Sequence, residues 1–455
     1  MKGWTQARAW VLRGAMMGCA ALAAAPAAAQ SPADEATATM TAWLRVMDEG
    51  RFEDSWRGLA APVRSMATAE QWATSIRQAR AAYPGTVTDR TVVEAASVPQ
   101  PAGAPPGEYV RMVFTTRFSG GAAARETVMA LRESDAWRAV GYFIAPGSTA
   151  SYEAPAGAPY TAENVTVPTP AGHTLAGTLT VPRGAAGPVP AVVLITGSGP
   201  QDRDAGMQVI PDYRFFRQVA DSLGRRGIAV LRMDDRGVGG SGGVTPDVTT
   251  EDFAADIGAA AAWLRGRAEI DPARIALAGH SEGGIIAPMV AVADERIAAI
   301  VLMAGPSWTG RRISDMQVRD AFVQAGQTGA ALDSAVAAAL VQRDAAAEGM
   351  PWVRWFLAHD PLPVARQVRV PVLVLQGGTD QQVTPEQADE LGAAIRAAGN
   401  ADVTVRVFPG LNHLFLRDPA GTANPALYAA LPDKRVPPEV LGALADWLAD
   451  RLHAP

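Results

Sequence analysis

Five consecutive residues, Gly279-His280-Ser281-Glu282-Gly283, end the apolar run 275–278 and precede a run of small and apolar residues, 285–290. That order reads as strand, sharp turn, helix. So tight a turn forces its middle residue into a strained backbone conformation and lifts the Ser281 hydroxyl clear of the sheet. Gly279 and Gly283 suit the flanks because side chains there would collide as strand and helix fold back on each other. The pentapeptide alone is equally compatible with a glycine-rich strand–helix loop that happens to hold a serine. A serine hydroxyl is a poor nucleophile near neutral pH. A nucleophilic reading therefore demands a base to take its proton, an acid to hold the base, and donors for the oxyanion that attack on a carbonyl creates.

The elements that would position such groups alternate along the chain. Segments 163–167 and 174–181 read as an antiparallel pair around Pro170-Ala171-Gly172, and 190–195 is a near-continuous apolar run of the buried parallel type. Strands at 228–231, 275–278, 297–303, 372–375 and 403–408 are separated by helical patterns at 213–226, 252–265, 385–398 and 438–452. The alternation predicts an α/β domain over 161–455, doubly wound and mostly parallel, with an antiparallel start. Residues 306–367 break it with a long helical stretch in position for a lid. Trp352, Trp355 and Phe356 in that stretch are candidates to line an apolar substrate pocket, with ordinary helix packing as the alternative.

Catalytic groups in open α/β sheets gather beyond the C-terminal ends of strands. Strand 372–375 runs through Gln376-Gly377-Gly378-Thr379 into Asp380. Strand 403–408 exits through Pro409-Gly410-Leu411-Asn412 into His413. Ser281, Asp380 and His413 thus each close a predicted strand. His280 adjoins the nucleophile and points elsewhere; His173 falls in the first hairpin, His359 in the lid and His453 at the C-terminus. Asp360 precedes a proline at a helix boundary, and Asp402 starts a strand at the wrong end of the sheet. The expected oxyanion donors are the N–H of Glu282, at the start of the nucleophile's helix, and the N–H of Ser198, in the loop after strand 190–195.

Residues 160–455 resemble the α/β-hydrolase superfamily, in particular bacterial esterases of the serine-aminopeptidase-like branch. The resemblance rests on Gly197-Ser198-Gly199-Pro200-Gln201-Asp202-Arg203-Asp204, on Asp234-Asp235-Arg236-Gly237-Val238-Gly239-Gly240-Ser241, on Gly279-His280-Ser281-x-Gly283-Gly284, on Gly377-x-x-Asp380 and on Asn412-His413. It implies the order Ser, Asp, His for a triad and a covalent acyl-enzyme formed from carboxylic esters of small to medium acyl groups. Many relatives have a histidine before the oxyanion glycine, where this chain has Thr196. The second motif carries one acid more than the usual spacing requires. Asp235, Arg236 and Ser241 read as structural, with Arg236 free to pair with a carboxylate and so brace the oxyanion loop. The same triad serves peptidases and amidases, and a binding protein that kept the fold but is catalytically inert is a third reading. No Gly-Lys-Ser/Thr follows the glycine loop, and no histidine–carboxylate cluster has metal spacing, so neither cofactor nor metal is expected.

Residues 1–30 read as a signal peptide. Lys2, Arg8 and Arg13 precede an apolar run over 14–25 and the small residues Ala27-Ala28-Ala29. The run is shorter than the ~20 residues a spanning helix needs. Export to the periplasm or beyond is expected, with no stable membrane span. Cys19, the only cysteine, lies in this leader, so the mature chain has no thiol chemistry. With 40 Lys and Arg against 46 Asp and Glu, interspersed, there is no basic stripe to suggest nucleic acid, which leaves a small-molecule ester as the expected partner. Residues 31–150 carry helical patterns around Trp43, Trp56 and Trp72 and then strand-like alternation, which predicts a small α+β domain. They resemble a family of small exported domains of unknown function, through Trp43-Leu44, Asp48 to Phe52, Ser55-Trp56 and Trp137-Arg138 to Ile144. The shape implied is a helix-backed curved sheet similar to the nuclear-transport-factor-2 cone, and no chemistry comes with it. Residues 151–160 read as a linker. Nothing in the sequence speaks to oligomeric state.

Overall fold

A computed structural model of the chain describes residues 31–100, 104–146, 152–206, 210, 213–243, 248–422 and 425–453. The expected leader, with Cys19, lies outside the described residues.

Two β-sheets divide the chain. The first is antiparallel and follows chain order: β1 (Val87–Val98), β2 (Tyr109–Phe118), β3 (Ala123–Glu133) and β4 (Ala136–Pro146). The helix Pro32–Asp48 backs it. Its start is fixed by a capping box, in which Ser31 accepts from the Asp34 N–H and Asp34 reaches back to the Ser31 N–H. Met40, Trp43, Leu44 and Met47 recur at three- and four-residue spacing and so share one face. That face packs with Val110, Met112, Phe114 and Val128 of the sheet.

Beside this apolar core lies a buried network of charges. Glu126 accepts from Arg80 at 2.6 Å, from Arg90 at 2.8 and 2.9 Å and from Tyr142 at 2.6 Å, and the Thr116 hydroxyl also donates to it. Both arginines share Asp48 as well. Burial by itself would raise the Glu126 carboxyl, but Arg90 and Arg80 hold it below the ordinary carboxylate range.

The second sheet has eight strands in the order β12-β11-β10-β9-β7-β8-β6-β5. They are β5 (Tyr160–Pro168), β6 (Thr174–Pro182), β7 (Val189–Ile195), β8 (Ala229–Met233), β9 (Ile270–His280), β10 (Ile297–Met303), β11 (Val372–Gly377) and β12 (Val403–Phe408). Pairing is parallel from β12 through β8 and antiparallel where β6 joins β8 and β5 joins β6. Every residue of β7, β8 and β11 is buried, which is why these strands read as mostly apolar runs instead of alternating, with Arg232 in β8 and Gln376 in β11 the buried polar exceptions. Helices Thr250–Arg265, Gly283–Ala293 and Glu386–Ala397 cover one face, and Phe215–Gly224 and Pro438–Leu452 cover the other.

The connection from β10 to β11 carries four helices, Gly310–Gln324, Gly329–Ala347, Pro351–Ala358 and the short Leu362–Ala365, in the region expected for a lid. The first starts at Gly310, six residues before Met316, where its apolar spacing becomes readable. Thr309 caps it by accepting from the Arg312 N–H, whereas Gly310-Arg311-Arg312 offers no apolar periodicity to read. β9 likewise starts at Ile270, before the expected 275, with exposed residues at its beginning.

Removing Glu126 would leave two buried guanidinium groups sharing Asp48 alone. Glu126→Ala is expected to cost about 3–5 kcal/mol, the range for breaking a buried ion pair from one side. Urea unfolding measures it, and a loss below about 1 kcal/mol would mean that the arginines reach water on their own.

Candidate active site

Each of the three candidate residues sits just past the C-terminal end of a strand. β9 ends at His280, and Ser281 follows at φ 54°, in the left-handed region that a side chain disfavours. The turn is held from both sides: the Ser281 N–H donates to the Met303 carbonyl at 2.9 Å, and the Gly284 N–H donates to the Ser281 carbonyl at 2.8 Å. A Cβ on Gly279 would stand 1.9 Å from the Gly283 carbonyl oxygen, and one on Gly283 would stand 2.4 Å from that of Ile195. Strand, helix and the neighbouring tip of β7 therefore close only with hydrogen at both positions.

Asp380 lies beyond β11 and is 1% exposed. Its Oδ1 accepts from the N–H groups of Gln382 at 2.8 Å and Val383 at 3.0 Å. Its Oδ2 accepts from Gln376 Nε2 at 2.9 Å and from His413 Nδ1 at 2.8 Å. A carboxylate only accepts, so His413 carries its proton on Nδ1 and leaves Nε2 free to take another.

The loop that presents His413 is set by two buried neighbours. Asn412 Oδ1 accepts from the N–H groups of Leu414 at 3.0 Å and Leu416 at 3.1 Å, an Asx turn closed on itself. His280 Nε2 lies 2.9 Å from the His413 carbonyl oxygen, which obliges His280 to donate, and the two rings are 4.9 Å apart. Burial pulls the His280 pKa down to about 3, with the His413 ring pushing the same way. The sequence assigned His280 no role; the structure makes it the support of the loop that carries His413.

Ser281, His413, Glu282, Ser198, Trp352 and Phe356 line one open cleft of about 960 Å³. Trp355 does not reach it. Its ring stacks on His359 at 4.2 Å, and its indole N–H donates to Glu251 at 3.1 Å. Trp352 has a second part to play: its indole N–H donates to Glu282 Oε1 at 2.7 Å, and the Thr250 hydroxyl donates to the same oxygen at 2.6 Å. The residue after the serine thus ties the turn to the lid.

The loop after β7 lies against the serine, where a Cβ on Gly197 would stand 3.2 Å from that of Ser281. Among the described residues the N–H groups of Ser198 and Glu282 have no internal acceptor. Two adjacent acids hold this loop. Asp235 accepts from the Thr196 hydroxyl and from the Gln201 N–H, the latter at 2.9 Å. Asp234 accepts from the Arg203 guanidinium at 2.7 and 3.0 Å and from the Arg203 N–H at 2.9 Å. The acid that had looked surplus is therefore in use. Arg236, expected to brace the oxyanion loop, binds Asp256 instead, through two bonds of 2.9 Å. Ser241 is structural as expected: its Oγ donates to the Asp234 carbonyl at 2.7 Å.

Among the described residues no group of three or more His, Cys, Asp or Glu is placed to hold a metal ion, and no helix is long and apolar enough to cross a membrane.

Comparison with known proteins matches both halves. Residues 39–142 match a family model described as a protein of unknown function, DUF4019, and residues 210–420 match one described as serine aminopeptidase, S33. Esterase EstD of Thermotoga maritima is 28% identical over 357 residues, covering 75% of this chain and 80% of that protein. An uncharacterised protein of Mycobacterium tuberculosis is 30% identical over 272 residues, covering 59% of this chain and 76% of its own length. Among solved structures, an esterase of Pyrococcus furiosus aligns with a TM-score of 0.47 at 18% identity, covering 68% of this chain and 97% of that one. With its strand order, its serine turn and the 30% identity to the Mycobacterium protein over 76% of that protein's length, the chain belongs to the α/β-hydrolase family. A DUF4019 domain precedes its hydrolase domain.

The His280 ring ties stability to pH. An unfolded chain protonates this ring near its ordinary 6.5, and the folded chain resists until about 3. Its contribution is full above 6.5 and is lost as pH falls through that window, by at most about 1.4 kcal/mol per pH unit. His280→Asn, whose amide still donates to the His413 carbonyl, is expected to show a shallower fall of unfolding free energy between pH 6.5 and 4. Parallel slopes in urea titrations would refute the buried neutral ring.

Proposed function

We propose that the protein is a serine hydrolase that cleaves carboxylic esters of small to medium acyl groups through a covalent acyl-enzyme. Ser281 is the nucleophile, His413 the general base and then acid, and Asp380 the carboxylate that fixes the imidazole. The N–H groups of Ser198 and Glu282 receive the oxyanion. One observation carries the reading: the 2.8 Å bond from His413 Nδ1 to Asp380 Oδ2 opens onto the cleft that also holds a serine at φ 54°.

In the acylation step Ser281 Oγ bonds to the ester carbon while its proton passes to His413 Nε2, and the carbonyl π-electrons move onto oxygen. Collapse of that adduct expels the alcohol oxygen, which takes the proton back from His413. Water then repeats the sequence on the acyl-serine and releases the acid. Two donated hydrogen bonds to the developing oxyanion are the largest contribution to be expected from such a site, at about 10²–10³ in rate for each donor. Trp352 and Phe356, stacked at 5.3 Å and 6°, stand with Ile285, Ile313 and Leu414 as an apolar wall for an acyl or alcohol group. The 28% identity to the Thermotoga esterase supports ester over amide. The match to the serine aminopeptidase model favours peptide amides as the second reading. An amine leaving group needs firmer protonation by His413, so parallel assays on p-nitrophenyl acyl esters and aminoacyl anilides separate the two. An exported location, from the leader at 1–30, and a cone-like first domain akin to nuclear transport factor 2 complete the proposal.

Ser281→Ala and His413→Ala are each expected to lower ester hydrolysis by about 10⁶-fold, as in another serine hydrolase whose nucleophile or base was removed. A fluorophosphonate probe should label the parent protein and not Ser281→Ala. A folded Ser281→Ala variant that kept most of its activity would sink the assignment.

A further inference from the structure

We infer that the first domain is a positioning element of the hydrolase site: Arg125, with Glu94 and Arg111, grips the loop 239–243, which wraps around Asp234, and Asp234 with Asp235 holds the oxyanion segment in place. The inference rests on the proposed serine chemistry for its readout, and on nothing else in it.

Three neighbouring strands of the first sheet each send a side chain to this one loop. From β3, Arg125 donates to the carbonyl of Gly239 and, at 3.0 Å, to that of Ser241. From β1, Glu94 accepts from the Gly243 N–H at 3.2 Å. From β2, Arg111 pairs with Glu94 and donates to the Gly243 carbonyl at 3.1 Å. Arg125 is only 8% exposed, and burial pulls its pKa down to about 10, which still leaves it charged through the neutral range. Sinking a guanidinium against backbone carbonyls is a costly arrangement, and it directs both terminal nitrogens of this side chain at the loop's course.

The gripped loop is itself wrapped around Asp234. The Gly240 N–H donates to Asp234 Oδ2 at 2.8 Å, and a Cβ on Gly239, at φ 53°, would stand 2.4 Å from the same oxygen. Asp234 holds Arg203, and Asp235 holds Thr196 and Gln201, so the two acids pin both ends of the segment that contains Ser198. The linker reaches the same place, with the Arg203 guanidinium lying 4.1 Å from the Tyr152 ring centroid. An unbroken line of direct contacts thus runs from the first sheet to the loop whose N–H is the proposed oxyanion donor. Displacing a catalytic group by about 1 Å costs roughly 10²-fold in rate. Such a donor acts on charge that exists only in the transition state, so its loss falls on kcat and spares KM.

The test is Arg125→Met, which keeps the apolar stem and removes the donors, with Arg125→Lys as the conservative variant. Arg117→Met, an exposed position of the same sheet, is the control. On p-nitrophenyl butyrate, Arg125→Met is expected to lower kcat about 10- to 100-fold with KM within about twofold. Binding of a trifluoromethyl ketone, which forms a tetrahedral adduct with serine, should weaken in step. Arg125→Lys should recover part of the loss, and Arg117→Met should match the parent. If Arg125→Met does not fold, Glu94→Ala is read in the same way. A kcat within twofold of the parent overturns the inference, as does a fall in kcat with no loss of ketone affinity. A parent protein inert to both ester and fluorophosphonate would instead overturn the proposed chemistry, a distinct result.

Discussion

An imidazole acts as a base at one nitrogen only if the other is held, and in this chain Asp380 does the holding. Its four hydrogen bonds exhaust the carboxylate and leave it no freedom to turn away from His413. Three of those bonds come from Gln376, Gln382 and Val383, residues of the same strand tip, so the acid is set by its own element before the histidine arrives. The contact between the tip of β11 and the histidine loop is correspondingly tight. A Cβ on Gly377 would stand 2.4 Å from the Asn412 carbonyl oxygen and 2.5 Å from that of Leu411. The parallel pairing of β11 with β12 places both loops at one edge of the sheet, and β9, two strands from β11, brings Ser281 to the same edge.

Much of this was legible because it is carried by backbone pattern. Ser281 and Asp380 each follow a strong apolar run and a glycine, and His413 follows the alternating strand Val403–Phe408 and a glycine; such strands, parallel in one sheet, collect functional groups at their ends. What could not be read is pairing between side chains distant in sequence. Glu282 and its partners Thr250 and Trp352 are 32 and 70 residues apart, and nothing in their types announces the meeting. Arg236 shows why. An arginine near several acids reads as a generic brace, and only the placement of helix Thr250–Arg265 decides that Asp256 is its partner, which leaves Asp235 to the loop after β7. The aromatic lining did carry a signal. Trp352 and Phe356 are four residues apart and share a helix face, whereas Trp355 lies off it and turns to His359.

The two halves of the chain treat buried charge in the same way. Glu126 in the first domain and Asp234 in the second are each buried, and each is matched by arginine through more than one hydrogen bond. Pairs of this kind add little net stability but fix geometry, because any other arrangement strands a charge. Fixed geometry is what a loop bearing an oxyanion donor requires, since donors are effective to the extent that they need not move when charge appears.

Asp235 is the exception, and its difference has a physical reason. It has no arginine partner in its bonds; burial first, then the charges of Asp234 and Glu282, push its carboxyl well above the ordinary range, against the Thr196 and Gln201 donors. A carboxyl so raised tends to the neutral form. Had it been fully charged, it would stand behind the loop proposed to stabilise a second negative charge. A like charge held in so buried a place opposes a developing oxyanion and works against what its donors supply. A neutral carboxyl can grip Thr196 and Gln201 without that penalty. Of the two adjacent acids, the one that grips Thr196 and Gln201 is therefore pushed towards the uncharged form, while the other is matched by the Arg203 guanidinium.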